Sequence, residues 1–433
     1  MRIRRPTYTT LILATLIFIP GCIQVPTSPP QSQTPPSPTH SVGPALAVRE
    51  AESPTGTDSR EPELTATADG RVILSWIEKI REKRHALRFA TRDTAVAGWS
   101  EARTVAEGDN WFVNWADFPS VVAFADGSMA AHWLVKSGKG TYAYDVNIAR
   151  SKDNGQTWGQ PIIPHTDGTQ TEHGFVSLMP LSDGRVGAVW VDGRDTKDMK
   201  EGHDEDAPLP VSMQLRYAAI DAEGHLSDEA VLDERICECC QTSAVMTSEG
   251  PMAAYRDRSD KEVRDIHFVR WQGEGWSGPQ PIHADNWEIN GCPVNGPSIA
   301  ADGRRVALAW FTGGGDSPRV QVAFSDDAGA TFGAPTRVDD GEVMGRVDVV
   351  LLRDGSALVS WMSGNTEGGA NKVRRVAPDG TLGPVAVIAQ TDVSRSSGFP
   401  RMARLGDTVH FAWTQFGKAS RVRTATADVS AFR

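Results

Sequence analysis

Four cysteines in two short segments of this 433-residue chain have the number and spacing for either disulfide or metal chemistry. Cys237, Cys239 and Cys240 form a C-x-C-C segment, and Cys292 follows 52 residues after Cys240. In an exported protein, two disulfides are the default expectation, one of them joining the segment to Cys292. Cys239 and Cys240 are adjacent and cannot bridge each other without strain. The alternative is a thiolate site for Cu(I) or Zn(II), in which Cys292 is the distant fourth ligand and His173 or His267 is a candidate for a further one.

A second set of residues combines carboxylates, arginines and tryptophans, which suits a site for a sugar or another polar ligand. Asp117, Glu172 and Asp257 are candidates for the paired carboxylates with which glycosidases supply an acid and a nucleophile or base. Arg60 and Arg346 are further catalytic candidates. The ligand-binding candidates are arginines for an anionic group, tryptophans for a sugar ring and one histidine: Arg60, Trp111, Trp115, His173, Arg194, Arg256, Trp287 and Arg346. The tryptophans equally suit packing between neighbouring units.

An internal repeat explains how residues so distant in sequence can meet. A turn glycine followed closely by an aromatic residue occurs seven times, at Gly70, Gly127, Gly184, Gly250, Gly303, Gly355 and Gly406. Successive glycines are 51 to 66 residues apart, which is the length of a four-stranded antiparallel blade. The sequence therefore predicts an all-β protein, a seven-bladed β-propeller. The starts of the first strands surround the central channel of a propeller, so both residue sets would meet there.

The seventh unit shows only three strands before Arg433. A candidate for the missing strand lies near the other end of the chain, where residues 43–48 read GPALAV, like the GPVAVI of residues 383–388 in a fourth strand. We predict that this N-terminal strand completes the last blade and closes the ring, which leaves no open sheet edge.

Residues 1–21 have the pattern of a lipoprotein signal peptide. Three arginines precede the apolar run LILATLIFI, and Pro20, Gly21 and Cys22 follow. The run is too short for a permanent membrane span. We expect Cys22 to carry a lipid anchor, with ordinary secretion and a free Cys22 thiol as the alternative. Residues 22–42 then form a disordered tether rich in proline and serine, and residues 43–433 form the propeller.

The composition and net charge of this protein limit the classes of binding partner that we expect. The formal charge is −11, and loss of the three signal arginines lowers it to −14. No basic cluster is present, so we do not expect a nucleic acid partner. We expect a monomer in the cell envelope that meets the membrane through its lipid and binds a glycan, a small polar ligand or an envelope protein. Ile23, where an aspartate would favour retention, favours the outer membrane of a Gram-negative bacterium. No cofactor is expected apart from the copper or zinc alternative.

Two eight-residue segments share a turn motif. Residues 151–158 read SKDNGQTW and match S-x-D-x-G-x-T-W, and residues 325–332 read SDDAGATF and match it with phenylalanine at the last position. The aspartate can accept amide protons of the turn, and the glycine can adopt positive φ. These turns resemble the Asp-box repeats of the sialidase superfamily, and the resemblance covers all seven units. It implies a propeller whose boxes lie on the outer rim, away from the ligand-binding face.

The resemblance also allows a test for sialidase activity. Family sialidases hold the substrate carboxylate with three arginines and use a tyrosine nucleophile, a glutamate and an aspartate. Arg60, in the segment REPEL, matches the first arginine, and Arg346 is a candidate for a second. The family nucleophile would lie in the last blade, where residues 397–400 read SGFP, and Phe399 cannot act as a nucleophile.

We therefore expect an envelope-anchored propeller that binds its ligand on the channel face and lacks classical sialidase activity. The alternatives are an exo-sialidase or another glycoside hydrolase, and a thiolate metal-binding protein.

Overall fold

Short antiparallel strands joined by tight turns make up nearly all of the described chain. The computed structural model describes residues 48–93, 98–198, 212–366 and 368–433. The glycines predicted to mark the repeat adopt positive φ, for example 84° at Gly70 and 85° at both Gly127 and Gly184. A side chain is disfavoured in this conformation, and the glycine lets each first hairpin reverse tightly. The prediction of an all-β fold is confirmed.

The strands form seven successive sheets, each a simple meander. Blade 1 contains β2 (Ser59–Ala66), β3 (Arg71–Arg81), β4 (Arg84–Asp93) and β5 (Arg103–Gly108). Blade 2 contains β6 (Ser120–Ala123), β7 (Met129–Lys136) and β8 (Tyr144–Ser151). Blade 3 contains β9 (His173–Pro180), β10 (Val186–Asp192), β11 (Met213–Ile220) and β12 (Leu226–Ile236). Blade 4 contains β13 (Ser243–Thr247), β14 (Gly250–Arg256), β15 (Ile266–Arg270) and β16 (Gln280–Pro281).

The remaining blades follow the same order. Blade 5 contains β17 (Ser298–Asp302), β18 (Arg305–Thr312), β19 (Arg319–Ser325) and β20 (Thr336–Arg337). Blade 6 contains β21 (Val343–Leu351), β22 (Ala357–Asn365), β23 (Gly368–Val376) and β24 (Ala386–Thr391). Blade 7 contains β25 (Arg401–Leu405), β26 (Thr408–Gln415), β27 (Arg421–Asp428) and the N-terminal β1 (Arg49–Ala51). Short 3-10 turns occur at Arg194–Thr196, Gly314–Asp316, Arg395–Ser397 and Val429–Phe432.

The first strands of the blades form a closed circle. Each contacts the first strand of the next blade, from β2 through β6, β9, β13, β17, β21 and β25 and back to β2. A separate apolar cluster fills each of the seven interfaces between neighbouring blades. No blade can bury its faces alone, so the ring holds its members together. The predicted seven-bladed propeller is confirmed.

The N-terminal strand closes the last blade, as predicted. Arg49 lies opposite Thr426, and Ala51 lies opposite Thr424, in an antiparallel pairing of β1 with β27. The sequence pattern placed this strand at residues 43–48, whereas the described strand begins at Arg49. Residues 43–47 lie outside the described residues, and so do the predicted signal peptide (1–21), Cys22 and the tether (22–42).

Blade 2 departs from the four-stranded pattern. Its sheet contains three strands, and the predicted fourth strand is reduced to one bridge between Ile148 and Ile162. Each of these residues donates its N–H to the carbonyl of the other at 2.9 Å. The chain after Ile162 is therefore free to turn inward, and it carries His165 toward the start of β9.

The Asp-box turns form as their residue types predict. The Asp153 carboxylate accepts the N–H of Thr157 at 2.8 Å and the Thr157 hydroxyl at 2.6 Å, while Gly155 adopts φ 74°. These hydrogen bonds lower the pKa of Asp153 to about 2. The Trp158 ring packs edge-on against Phe89 at 6.1 Å. The box thus fastens one blade to its neighbour and contributes to the fold.

In the described part of the chain, no helix is long and apolar enough to cross a membrane.

Ring closure gives a first testable prediction. A chain that begins at residue 52 loses β1 and exposes the edge of β27, so we expect its Tm to fall by at least about 3 °C. A chain that begins at residue 48 keeps β1 and is the matched control. Thermal denaturation followed by circular dichroism measures both, and equal Tm values would contradict closure by β1.

Candidate functional site

The starts of the first strands surround one end of a central cavity. This cavity has a volume of about 350 Å³ and is lined by the first strand of every blade. The Gln241 side chain links the entrances of blades 2, 4 and 5 here, because it donates to the Ala116 carbonyl at 2.7 Å and accepts the Gly296 N–H at 3.0 Å. Polar side chains at this end are thus held within a packed layer.

Arg346 and Trp115, both predicted to bind a ligand, belong to this packed layer. The Arg346 guanidinium donates to the Gly398 carbonyl at 2.9 Å and lies 4.7 Å from the centre of the Trp115 ring. Trp115 in turn stacks on Phe399 at 5.9 Å. Burial and the charge of Arg395 lower the pKa of Arg346 to about 10. In this structure, the Arg346 guanidinium donates hydrogen bonds to backbone carbonyls.

Two other candidate arginines also have protein partners. Arg256 is fully buried, donates to the carbonyls of Asn295 and Phe311 at 2.6 and 2.8 Å, and lies 4.9 Å from the centre of the Trp287 ring. Arg194 donates to Asp192 through two bonds of 2.7 Å. Each of them would have to give up these contacts to clamp a substrate carboxylate.

The remaining candidates from the first blades lie in different surroundings. Trp111 stacks on Trp133 with ring centres 5.8 Å apart, which is packing within blade 2. Arg60 is half-buried at the start of β2, and its charge acts on the neighbouring carboxyl of Glu61.

Asp117 and Glu172 meet at a tyrosine that sequence reasoning did not select. The Tyr144 hydroxyl lies 2.7 Å from a Glu172 oxygen and 3.2 Å from an Asp117 oxygen. Burial raises the pKa of Glu172 to about 8 and that of Asp117 to about 7. The pKa of Tyr144 lies well above its ordinary value because of burial and the two carboxyls. In the sequence, nothing distinguishes Tyr144 from the residues that begin other buried strands.

A third carboxyl extends this acidic group into blade 1. Burial raises the pKa of Glu61 to about 8, and the charge of Asp117 acts in the same direction. Glu61 has φ 55°, in the left-handed region. Burial thus raises the pKa of all three carboxyls toward neutral pH, where such groups can exchange a proton, while Asp117 accepts the Phe175 N–H at 2.9 Å.

Asp257 belongs to a separate cluster between blades 3 and 4. Its carboxylate lies 3.7 Å from His267 Nδ1, and burial together with the charge of Asp233 raises its pKa to about 7. Tyr255 donates to Asp233 at 2.5 Å. Asp257 thus has other partners than the pair of Asp117 and Glu172.

The cysteine segment brings three sulfur atoms to one point. Cys237 Sγ lies 3.3 Å from Cys240 Sγ and 3.8 Å from Cys239 Sγ. Cys292 is exposed beside them, and its sulfur lies 3.9 Å from a Glu238 oxygen. No disulfide links these four cysteines in this structure, and the sulfurs of the C-x-C-C segment converge on a shared point. The two disulfides expected from the sequence stay a prediction beside the thiolate metal site.

Charged side chains surround these sulfurs. Fully buried Arg264 lies 3.3 Å from Cys237 Sγ and donates to Glu238 at 3.0 Å. Burial alone would raise the pKa of Cys240, but contacts with Cys237 and Cys239 and the charge of Arg256 bring it well below its ordinary value. The cluster therefore favours one thiolate that its neighbours stabilise.

Comparison with known proteins shows the fold. No protein-family model matches the chain, and neither does any curated protein. A solved structure of the polysaccharide lyase Uly1 matches with a TM-score of 0.51 and 10% identity, over 89% of this chain and 91% of the lyase. A protein of unknown function from Dyadobacter fermentans matches with a TM-score of 0.49 and 13% identity, over 88% and 97% of the two chains.

A sialidase is also among the structures of similar shape. NanB from Streptococcus pneumoniae matches with a TM-score of 0.46 and 9% identity, over 89% of this chain and 95% of the sialidase. At these identities the similarity establishes a shared propeller fold alone.

The acidic group predicts a pH dependence of stability. The pKa of Glu61 rises on folding from 4.5 to about 8, so the stability it contributes is complete below the unfolded value and is lost as pH rises toward 8. Glu61→Gln removes the ionisable carboxyl and therefore also removes this loss of stability at higher pH. We expect the Tm of the variant to fall less than that of the unsubstituted protein between pH 5 and pH 8, by about 2–5 °C.

The matched control for this measurement is Glu274→Gln, which changes an exposed carboxyl. Calorimetry across the pH range should show the same profile for this control and for the unsubstituted protein. Identical profiles for all three proteins would contradict a proton held by Glu61.

Proposed function

We propose that this protein is an envelope-anchored propeller that binds a thiolate-preferring metal ion, Cu(I) or Zn(II), through Cys237, Cys239 and Cys240. The observation that supports this proposal is the convergence of three thiol sulfurs within 4.8 Å of one another. Two thiolates bound to one tetrahedral Zn(II) at about 2.3 Å lie about 3.8 Å apart. The Sγ atoms of Cys237 and Cys239 are separated by 3.8 Å.

The surrounding charges favour this chemistry. Thiolates bind metals only after losing their protons, and the buried cation of Arg264 beside Cys237 stabilises the charge that results. Three thiolates carry more charge than one metal ion removes, and arginine retains its proton even when buried. Arg264 also pairs with Glu238 and Glu262 at 3.0 Å each, so its positive charge is shared between these carboxylates and the sulfurs.

The exposure of the ligands suits reversible binding. Cys237 and Cys240 are buried, whereas Cys239 is half-buried and Cys292 is exposed. A metal ion can thus enter from the solvent side. Three sulfurs alone suit Cu(I), and recruitment of Cys292 as a fourth ligand would suit Zn(II).

The location belongs to the same proposal. The signal pattern of residues 1–21 and the lipidation site Cys22 support attachment to a membrane, and Ile23 favours the outer membrane of a Gram-negative cell. The propeller would then present its cysteine-bearing end to the periplasm or the cell exterior at the end of the tether.

A second candidate function is the hydrolysis of a glycan. The observation that favours it is the shared Tyr144 hydroxyl between two carboxyls whose pKa values lie near 7 and 8, because such a group can hold a general acid at neutral pH. Tyr144 has no exposed surface, so a substrate would meet Glu172, which is half-buried.

The metal proposal predicts a defined loss on substitution. The reduced mature protein should bind one equivalent of Cu(I) in a competition titration with a chromogenic chelator. A variant with both Cys237→Ser and Cys240→Ser should bind it at least about 100-fold more weakly, because two of three soft ligands are replaced. Cys292→Ser is the matched control, and it should weaken Zn(II) binding while leaving Cu(I) binding unchanged.

Two outcomes would overturn the metal proposal. One is protein purified from the periplasm that contains two disulfides and binds no metal after reduction. The other is an affinity for Cu(I) that the double variant retains in full. Circular dichroism shows whether each variant has folded.

The hydrolase candidate makes a separate prediction. We expect no release of sialic acid from sialylated glycans, because Arg194, Arg256 and Arg346 are engaged by protein acceptors. Release of any sugar from sialylated or unsialylated glycans can be followed by chromatography. Turnover that Glu172→Gln or Arg60→Ala abolishes, and that Glu274→Gln leaves intact, would favour a hydrolase over the metal proposal.

A further inference from the structure

Two histidines and a carboxylate from blades 2 and 3 converge on one point near the start of β9. Asp145 is the second residue of β8, His165 follows the bridge at Ile162, and His173 begins β9. Asp145 Oδ1 lies 4.0 Å from His165 Nε2 and 3.7 Å from His173 Nδ1. These three ligand atoms lie within 4.8 Å of one another.

None of the three converging atoms has a hydrogen-bond partner in the described structure. Asp145 Oδ1, His165 Nε2 and His173 Nδ1 are all buried and unpaired. His173 is 0% exposed, and His165 is 7% exposed. Unpaired polar atoms are costly to bury, so three of them that face one point indicate a shared ligand.

The opposite nitrogens of both rings face a second carboxylate. Asp167 Oδ2 lies 3.3 Å from His173 Nε2 and 3.5 Å from His165 Nδ1. The two rings stack with centres 3.7 Å apart and planes 6° from parallel. Histidines that bind a metal commonly donate their other N–H to a carboxylate, which fixes the tautomer. Asp167 Oδ2 and His173 Nε2 form no hydrogen bond in the described structure. Because the rings are nearly parallel, their in-plane lone pairs run side by side, so one ring must turn for both nitrogens to bind one ion and for Asp167 to accept the other N–H.

Asp167 is itself held in place. Its carboxylate accepts the Thr169 N–H at 2.9 Å, and Arg194 lies 3.4 Å from it on the side of Asp192. Arg194 and the Thr169 N–H thus hold the Asp167 carboxylate behind the two rings.

From this geometry we infer a second metal site, formed by Asp145, His165 and His173 and oriented by Asp167. Two imidazoles and one carboxylate are the ligand set of a borderline divalent ion, Zn(II) above all, and three protein ligands leave a position open for water or a substrate. The Asp145 side chain is 19% exposed, which gives the ion a solvent side. The site shares no ligand with the cysteine cluster and does not depend on the function proposed for it.

The test uses the mature protein with Zn(II) as the probe. In a calorimetric titration of a variant with serine at all four propeller cysteines, we expect one equivalent to bind. His173→Ala and His165→Ala in that background should each weaken binding at least about 100-fold, and Asp167→Asn should weaken it about 10- to 100-fold. His225→Ala is the matched control, because His225 is exposed and contacts only Asp221 among the described residues.

A second readout separates loss of the site from loss of the fold. Zn(II) should raise the Tm of the cysteine-free protein and of His225→Ala, and it should leave the Tm of Asp145→Asn unchanged. Co(II) bound at this site should give the weak visible bands of nitrogen and oxygen ligation, without thiolate charge transfer. Unchanged Zn(II) affinity in the histidine variants, or no binding by the cysteine-free protein, would overturn the inference without touching the cysteine cluster.

Discussion

Burial of charged side chains at the centre of a closed ring is the constraint from which the other features follow. Seven first strands converge on one narrow cavity, and little water reaches the side chains at their starts. A charge in that setting must have a partner or lose its ionisation. Arg256 and Arg346 take backbone carbonyls as partners. Glu61 and Glu172 retain their protons near neutral pH.

The same constraint brings together the two sets of atoms that we propose as metal ligands. The sulfur set precedes β13, and the histidine and carboxylate set precedes and begins β9, so consecutive blades present chemically different ligands. Thiolates prefer soft ions such as Cu(I), whereas imidazole and carboxylate prefer borderline divalent ions. Such a difference would let one protein hold two metals without exchange between the sites.

Much of the fold was predictable because it rests on local patterns. Turn glycines such as Gly70 and the Asp-box residues around Asp153 act within a few residues of themselves, so sequence alone reveals them. Closure by an N-terminal strand was also predictable, although the pattern placed the strand several residues before Arg49. The cysteine cluster was evident from its spacing, but the choice between disulfides and a metal site was not, because it depends on how the sulfurs converge.

The remaining site residues required three-dimensional contacts. Tyr144 begins an ordinary buried strand, and only the ring places its hydroxyl between carboxyls from two other strand starts. His165 follows a strand that is reduced to one bridge, so no periodicity marks it. Arg346 lies in the first half of β21, and the sequence predicted that it binds a ligand. In the structure, the Trp115 and Phe399 rings pack against its guanidinium.

X-ray absorption at the metal edge of protein purified from its own cell envelope tests the central claim most directly. The proposed thiolate centre predicts a bound Cu or Zn ion with three or four sulfur neighbours at about 2.3 Å. A spectrum with nitrogen and oxygen neighbours alone, or a protein that carries disulfides and no metal, would contradict it.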